Sequence, residues 1–294
     1  MSSARTICSG ARAIALAADE ASKPRVAMGC FMNDVSVIRA FPARPINIRA
    51  REGVHRMDSL EKENARRSVL ERLGISSFVT TAALDISAGH SLHVEQQRTP
   101  ARFIIDGLTI DAPAGVYHPT PESSSLLFIR NIMAMNKPKI PKTLEIGAGC
   151  GAISLFVAHR WKSTVVATDI APEALEAIRK NARLNDIAIE PVHSDLFDRV
   201  EDRDFDLIVF NAPLIDKEPE SDLERSTLCD PGGQILRRFL EKAGGFLNES
   251  GLIIFSVCSN TAYEVLAGID LKYRIIGIEV VGNGFWRAIV GGEN

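Results

Sequence analysis

The chain is predicted to be an α/β protein built on a doubly wound, Rossmann-like parallel sheet with a terminal antiparallel hairpin, plus a smaller mixed α+β N-terminal part. Two observations predict the sheet. Apolar runs at 143–147, 164–168, 188–192, 205–210 and 252–257 alternate with helical patterns of ordinary length, such as "APEALEAIRKNARLN" (171–185) and "GQILRRFLEKAGGFL" (233–247). Strands that alternate with helices pair in parallel through right-handed crossovers. The ending differs: "YRIIGIEVVGNGFWRAIVG" (273–291) holds two β runs joined around Asn283-Gly284, the signal of a hairpin.

Before residue 137 the chain is mixed, which suggests a cap or substrate domain over 1–115 and a nucleotide-binding domain over 116–294. The first twenty residues carry Arg5, Arg12, Asp19 and Glu20. They suit an amphipathic helix and lack the apolar core of a signal peptide. "MDSLEKENARRSVLERLG" (57–74) predicts a helix, with Asp58 and Glu61 as a capping box and Gly74 as its stop. "RFIIDGLTIDA" (102–112) predicts a hairpin turning at Asp106-Gly107. "HPTPESSSLLFIRNIMAM" predicts a helix with Thr120 as N-cap and Pro121 at its first position. "NKPKIPK" (136–142), with two prolines and three lysines, is a loop.

Composition narrows the class. With 294 residues and 46% apolar content the chain can bury a substantial core. No apolar run approaches the roughly 20 residues that cross a bilayer, and a cytoplasmic protein is expected. Five scattered cysteines show no metal-ligand spacing. His90 and His93 lie in a β-like stretch that would point them to opposite faces, so no metal site is expected. The net charge of −3 divides into +5 over residues 1–75 (13 Lys/Arg, 8 Asp/Glu) and −8 over the rest (21 and 29). The basic stretch 44–56 could draw an acidic partner, but a pI near 6.1 argues against unaided nucleic-acid binding. A homodimer is left open.

"TLEIGAGCGAIS" (143–154) carries the sharpest chemistry. A β run ends in Gly147-Ala148-Gly149-Cys150-Gly151 and a helix follows. Glycines let the backbone turn tightly against a ligand, and the helix start offers free N–H groups. Twenty-two residues past Gly147, the next strand ends at Asp169-Ile170, where a carboxylate can accept both hydroxyls of a ribose. Taken alone the glycines also fit a dinucleotide site. Glu145 ahead of the first glycine, Asp195-Leu196 ending the third strand, where Asp195 can read an adenine amino group, and the closing hairpin shift the reading. Together these features resemble the class I S-adenosylmethionine (SAM) dependent methyltransferases over residues 143–291. The resemblance implies a seven-stranded sheet with its last strand antiparallel, and SAM as cofactor. It also implies cofactor contacts at Glu145, Gly147, Ala148, Gly149, Gly151, Asp169, Ile170, Asp195, Leu196 and Asn211.

In that fold the fourth strand ends beside the activated methyl group, and here it delivers Asn211-Ala212-Pro213-Leu214. The tetrapeptide resembles the Asn-Pro-Pro-Tyr motif of amide and amino-group methyltransferases, closest in layout to the release-factor glutamine methyltransferase (HemK/PrmC) family. "GVYHPTPESSSLL" (115–127) and "CDPGGQILRRFLEKAGGFLNESGLIIFSV" (229–257) resemble further segments of that family, whereas residues 1–100 do not. The resemblance implies that Asn211 and the main-chain carbonyl at 212 orient a nitrogen nucleophile, with Pro213 fixing the turn. An amide nitrogen is a poor nucleophile because its lone pair is delocalised, so positioning is the main help it needs. Ala212 and Leu214 replace a proline and the stacking aromatic, and Tyr117 is the candidate replacement ring.

Three readings follow. The first is methyl transfer to a nitrogen, or an oxygen, of a small molecule or peptide. The second is cyclisation of SAM itself, with release of 5′-methylthioadenosine, motivated by the altered motif. The third is protein-glutamine or nucleic-acid N-methylation. The loop 216–230 is rich in Asp and Glu; as a lid it would favour a cationic acceptor, and otherwise it is a solvated surface. His118 is a candidate base, while Cys150 and Cys258 are expected to be core residues.

Overall fold

Asp58 opens the first described element. Its carboxylate accepts the N–H groups of Leu60 and Glu61 at 2.9 Å, and Glu61 accepts the Asp58 N–H at 2.8 Å. This reciprocal cap starts α1 (Ser59–Arg72), as expected, and Gly74 follows in a left-handed conformation. The computed structural model describes residues 58–76, 93–135, 140–268, 274–280 and 285–293. The expectations for residues 1–20 and 44–56, for His90 and for the Asn283-Gly284 turn lie outside them.

His93 lies in a helical turn over 93–96, not in a β-like stretch. β1 (Ala101–Ile105) and β2 (Leu108–Ala112) pair antiparallel around Asp106-Gly107, both at positive φ, as the hairpin signal requires. One face of this hairpin, including Phe103, Ile105 and Ile110, packs into the core beside the next two helices. The first of these, α2 (Ser124–Ala134), begins three residues later than predicted. Ser123 is the N-cap and its hydroxyl accepts the Leu126 N–H at 3.3 Å. The local Thr-Pro signal is overridden because 116–120 is already committed to packing: Val116 and His118 are buried there. Tertiary burial outweighs a capping preference of about 1 kcal/mol.

Then the alternation begins: β3 (Lys142–Ile146), α3 (Ala152–Trp161), β4 (Thr164–Asp169), α4 (Pro172–Leu184), β5 (Glu190–His193) and β6 (Phe205–Phe210). The short α5 (Asp222–Thr227), α6 (Gln234–Ala243), β7 (Leu247–Cys258), α7 (Tyr263–Ala267), β8 (Arg274–Val280) and β9 (Trp286–Glu293) complete it. The strand order β5-β4-β3-β6-β7-β9-β8 is parallel except for β9, which runs antiparallel to both β7 and β8. This is the expected doubly wound sheet of seven strands.

Both faces of the sheet are covered. Alternate residues of the strands, such as Ile208, Phe255 and Val257, face α1, α6 and α7. Their neighbours, such as Leu207, Val209 and Ile254, face α2, α3 and the hairpin. The strand order reverses between β3 and β6, so the carboxyl ends of these two strands open a crevice, the usual ligand position in such sheets. Among the described residues no helix is long and apolar enough to cross a membrane.

Candidate active site

At the end of β3 the chain turns through Gly147, Gly149 and Gly151, all at positive φ (60°, 57° and 80°). A Cβ on Gly151 would meet Ile178 at 3.1 Å, so only glycine lets α3 start this close to α4. The loop is fixed from below and from the side. Buried Glu145 accepts the Ser154 N–H at 2.7 Å and the Ser154 hydroxyl, anchoring the first turn of α3. Asp169 accepts the Gly149 N–H at 2.8 Å with one oxygen and the Ala171 N–H at 2.9 Å with the other. It thus joins the glycine loop to the start of α4. Burial pushes the Glu145 carboxyl up to about 8 and raises that of Asp169 too, against the hydrogen bonds that pull both down.

These residues line one cleft of about 320 Å³. Its cofactor end is formed by Glu145, Gly147, Ala148, Gly149, Asp169, Ile170, Asp195 and Leu196, with Gly115–Tyr117 running alongside. Ile170 stands 64% exposed at this end, an apolar surface held out to solvent beside the Asp169 carboxylate. Asp195 pairs with Arg238 of α6 at 2.9 Å. Gly151 stands just behind the lining, against α4. Glycines in left-handed conformations, an apolar ledge and two carboxylates suit an adenosyl group in shape and chemistry.

The other end holds the tetrapeptide. Asn211 leaves β6 with its side chain held at both atoms: its amide nitrogen donates to the Ser125 hydroxyl at 3.2 Å, and its oxygen accepts from the Ser256 hydroxyl at 3.3 Å. Asn211 and Pro213 line the cleft, whereas the Ala212 side chain is buried away from it. Tyr117 also lines it; its hydroxyl accepts the Ser124 N–H at 3.2 Å and its ring packs in one apolar cluster with Leu214. The ring of His93 stands 5.0 Å from that of Tyr117.

Four contributors escaped the sequence reading: Ser125, Ser256, Arg225 and Arg238. A serine inside the apolar run "IIFSVC" is a signal for Ser256, since a buried hydroxyl needs a partner. The others carry no local mark. His118 is not at the cleft. It is buried, its Nε2 lies 3.1 Å from the Pro113 carbonyl, and burial lowers its pKa. Cys150 and Cys258 are buried, with thiols pushed up to about 12 and about 11 by that burial, and so are unreactive, as expected. Among the described residues no group of His, Cys, Asp or Glu is arranged to hold a metal ion.

The acidic loop turns out differently from a lid of negative charge. The N–H groups of Leu214 and Ile215 both donate to the Leu228 carbonyl at 3.0 Å, so the loop is clasped to the tetrapeptide. α5 then lies over the cleft and presents Arg225, Ser226 and Thr227. Glu224 faces inward to the loop's own Glu220 N–H (2.8 Å) and Lys217 (3.9 Å), and Glu218, Glu220 and Asp222 are on the exposed outer side.

Comparison with known proteins agrees with this geometry. The family model "Methyltransferase small domain" matches residues 107–284. The release factor glutamine methyltransferase of Streptococcus pneumoniae is 32% identical over 174 residues, 54% of this chain and 61% of that protein. The same-named protein of Fusobacterium nucleatum is 31% identical over 215 residues, 66% of this chain and 60% of its own length. The chain thus spans about six-tenths of each. Among solved structures, the 16S rRNA N2 G1207 methyltransferase of T. thermophilus, in complex with AdoMet and guanosine, superposes with a TM-score of 0.50 at 19% identity. That alignment covers 66% of this chain and 50% of the other, and it supports the fold alone. A glycine cradle, an apolar ledge and a strand-end asparagine in one crevice, on a sheet matched over residues 107–284, lead to one conclusion: the chain belongs to the methyltransferase small domain family, as a SAM-dependent methyltransferase of class I fold.

Proposed function

We propose that the chain methylates the side-chain amide nitrogen of a glutamine in a protein substrate. The observation that carries this reading is the placement of Asn211, fixed by Ser125 and Ser256 at the end of β6 and lining the same cleft as the glycine loop. The relatives at 31–32% identity, named for glutamine methylation of release factors, support it over the small-molecule acceptor favoured by the sequence reading. The SAM-cyclisation alternative has no structural feature in its favour.

In this reading Gly147 to Gly151, Asp169, Ile170 and Asp195 hold the cofactor, which when bound supplies an electrophilic methyl group. The Asn211 side-chain oxygen and the Ala212 carbonyl accept the two N–H bonds of the target amide and aim its lone pair. Ser125 and Ser256 hold the Asn211 side chain in place, so its position at the end of β6 is set before the acceptor arrives. Leu214 offers no ring, and Tyr117, fixed at its hydroxyl by Ser124, supplies the flat face instead. The amide proton leaves to water once the nitrogen is methylated, so no strong base is needed.

The test is incubation of the protein with SAM and either an intact release factor or a short glutamine-containing peptide. The expected result is S-adenosylhomocysteine with one methyl group on the glutamine nitrogen, located by fragmentation mass spectrometry. Methylation of small amines in preference to glutamine would overturn the reading, as would 5′-methylthioadenosine formed from SAM alone.

A further inference from the structure

Among the described residues the cleft is lined by two cations, and they differ in one respect. Arg238, at the cofactor end, is matched by Asp195 at 2.9 Å. Arg225 has no ion-pair partner among the described residues and is exposed. Its place in the fold fixes which end of the cleft it serves. Leu214 and Ile215 are hydrogen-bonded to Leu228, so the last turn of α5 is tied directly to the tetrapeptide that carries Asn211. The carboxylates of the loop are arranged to leave this cation unmatched: Glu224 is taken by Lys217 and the Glu220 N–H, while Glu218 and Asp222 are exposed on the outer side.

We propose that Arg225 is a specificity-determining residue for the acceptor, and that the acceptor is a peptide segment carrying one carboxylate within a residue or two of the methylated nitrogen. The charge sign is the reverse of what the loop's composition suggests, because the loop turns Arg225 to the cleft, keeps Glu224 inside and holds Glu218, Glu220 and Asp222 out to water. One unmatched guanidinium serves one carboxylate, and its planar fork suits that group. A longer run of negative charge, such as an RNA backbone, would meet the exposed Glu218, Glu220 and Asp222 and be repelled. This inference rests on the glutamine-methylation reading for the target group, but the charge preference is separable from it.

The experiment compares three peptides, identical except that a target glutamine is followed by Glu, Gln or Lys. Binding is measured by fluorescence anisotropy on the S-adenosylhomocysteine-loaded protein, and turnover is measured separately. The wild-type protein should bind the Glu peptide about fivefold tighter than the Gln peptide, the size of one partly exposed ion pair. Arg225→Gln should abolish this preference, and Arg225→Glu should reverse it toward the Lys peptide. The affinity for S-adenosylhomocysteine, measured by calorimetry on the same variants, should stay within about twofold of wild type; it also reports that they are folded. Binding indifferent to the flanking charge, no binding of any peptide, or a loss of cofactor affinity in Arg225→Gln would each overturn the proposal. Arg225-dependent binding of a single-stranded oligouridylate tighter than that of the Glu peptide would do the same. Charge-selective binding without glutamine methylation keeps this inference and removes the reading beneath it, whereas charge-blind methylation does the opposite.

Discussion

Two side chains at the cleft illustrate how a residue can be functional through what holds it. Asn211 is gripped by two serines, Ser125 from α2 and Ser256 from β7, one on each side-chain atom. If it orients the acceptor, Asn211→Ala should lower kcat about 100-fold, the range for losing one preorganised polar group, and leave SAM affinity nearly unchanged. Initial rates of S-adenosylhomocysteine release with calorimetric SAM titration check this, and a kcat within threefold of wild type would sink it. Glu145 plays the opposite part, since its carboxyl is spent on Ser154. Its folded pKa of about 8 lies above the ordinary value of 4.5, because burial penalises the charged form. The folded state therefore holds the proton more tightly than the unfolded chain. Its stabilising effect is complete below about pH 4.5 and is lost as pH rises through about 8. Glu145→Gln, neutral at every pH, should show a flatter Tm-versus-pH curve than wild type across that window. Equal slopes in differential scanning calorimetry would contradict the assignment.

At the scale of elements, Asn181 is the joint on which the cofactor end turns. This fully buried residue of α4 accepts the Asp111 N–H at 2.9 Å and donates to the Asp111 carbonyl at 2.8 Å and the Cys150 carbonyl at 2.9 Å. One amide thus ties the hairpin edge, α4 and the glycine loop together. Asn181→Ala leaves one buried and two half-buried main-chain groups short of a partner and should cost about 2–4 kcal/mol, read by urea denaturation. A loss below about 1 kcal/mol would show that water replaces the amide without penalty. The sequence announced every strand of the sheet, since β3 to β7 are apolar runs separated by helical periods. It also announced the glycine turn, whose conformation needs that residue type. It did not announce Asn181, Ser125 or Arg225, because their partners lie across the fold and leave no mark on neighbouring residues. The start of α2 was misread for the same reason: Thr120-Pro121 satisfies a local rule, while burial of Val116 and His118 decides where the chain goes. The loop over the cleft was legible as acidic but not as to which side its charges face.

For the whole molecule, the question is what joins α1, the first described helix, to the methyltransferase sheet. α1 lies on the sheet face opposite the hairpin and shares its core with α6 and α7. Cations spread along it reach acceptors on the body of the fold. Lys62 pairs with Glu264 at 3.2 Å and Asp216 at 3.4 Å, Arg66 donates to the Ser259 carbonyl, and Arg72 donates to the Leu266 carbonyl at 2.9 Å. Asp216 in turn accepts the Gly232 N–H at 2.7 Å, two residues beyond Leu214. Polar links are therefore numerous, but magnitudes favour the apolar ones. The Lys62 side chain is 46% exposed, and such pairs contribute about 0–1 kcal/mol. Leu70 is fully buried, and truncating such a side chain costs about 2–5 kcal/mol. Leu70→Ala should therefore lower stability several times more than Lys62→Ala, and only the lysine variant should lose its effect in high salt. Neither should change SAM affinity, because the glycine loop is built by β3, α3 and α4, which hold no residue of α1. Urea denaturation at low and high salt, with calorimetric SAM titration alongside, tests all three expectations. A Lys62→Ala loss equal to that of Leu70→Ala would mean that α1 is held to the sheet by charge rather than by its apolar face.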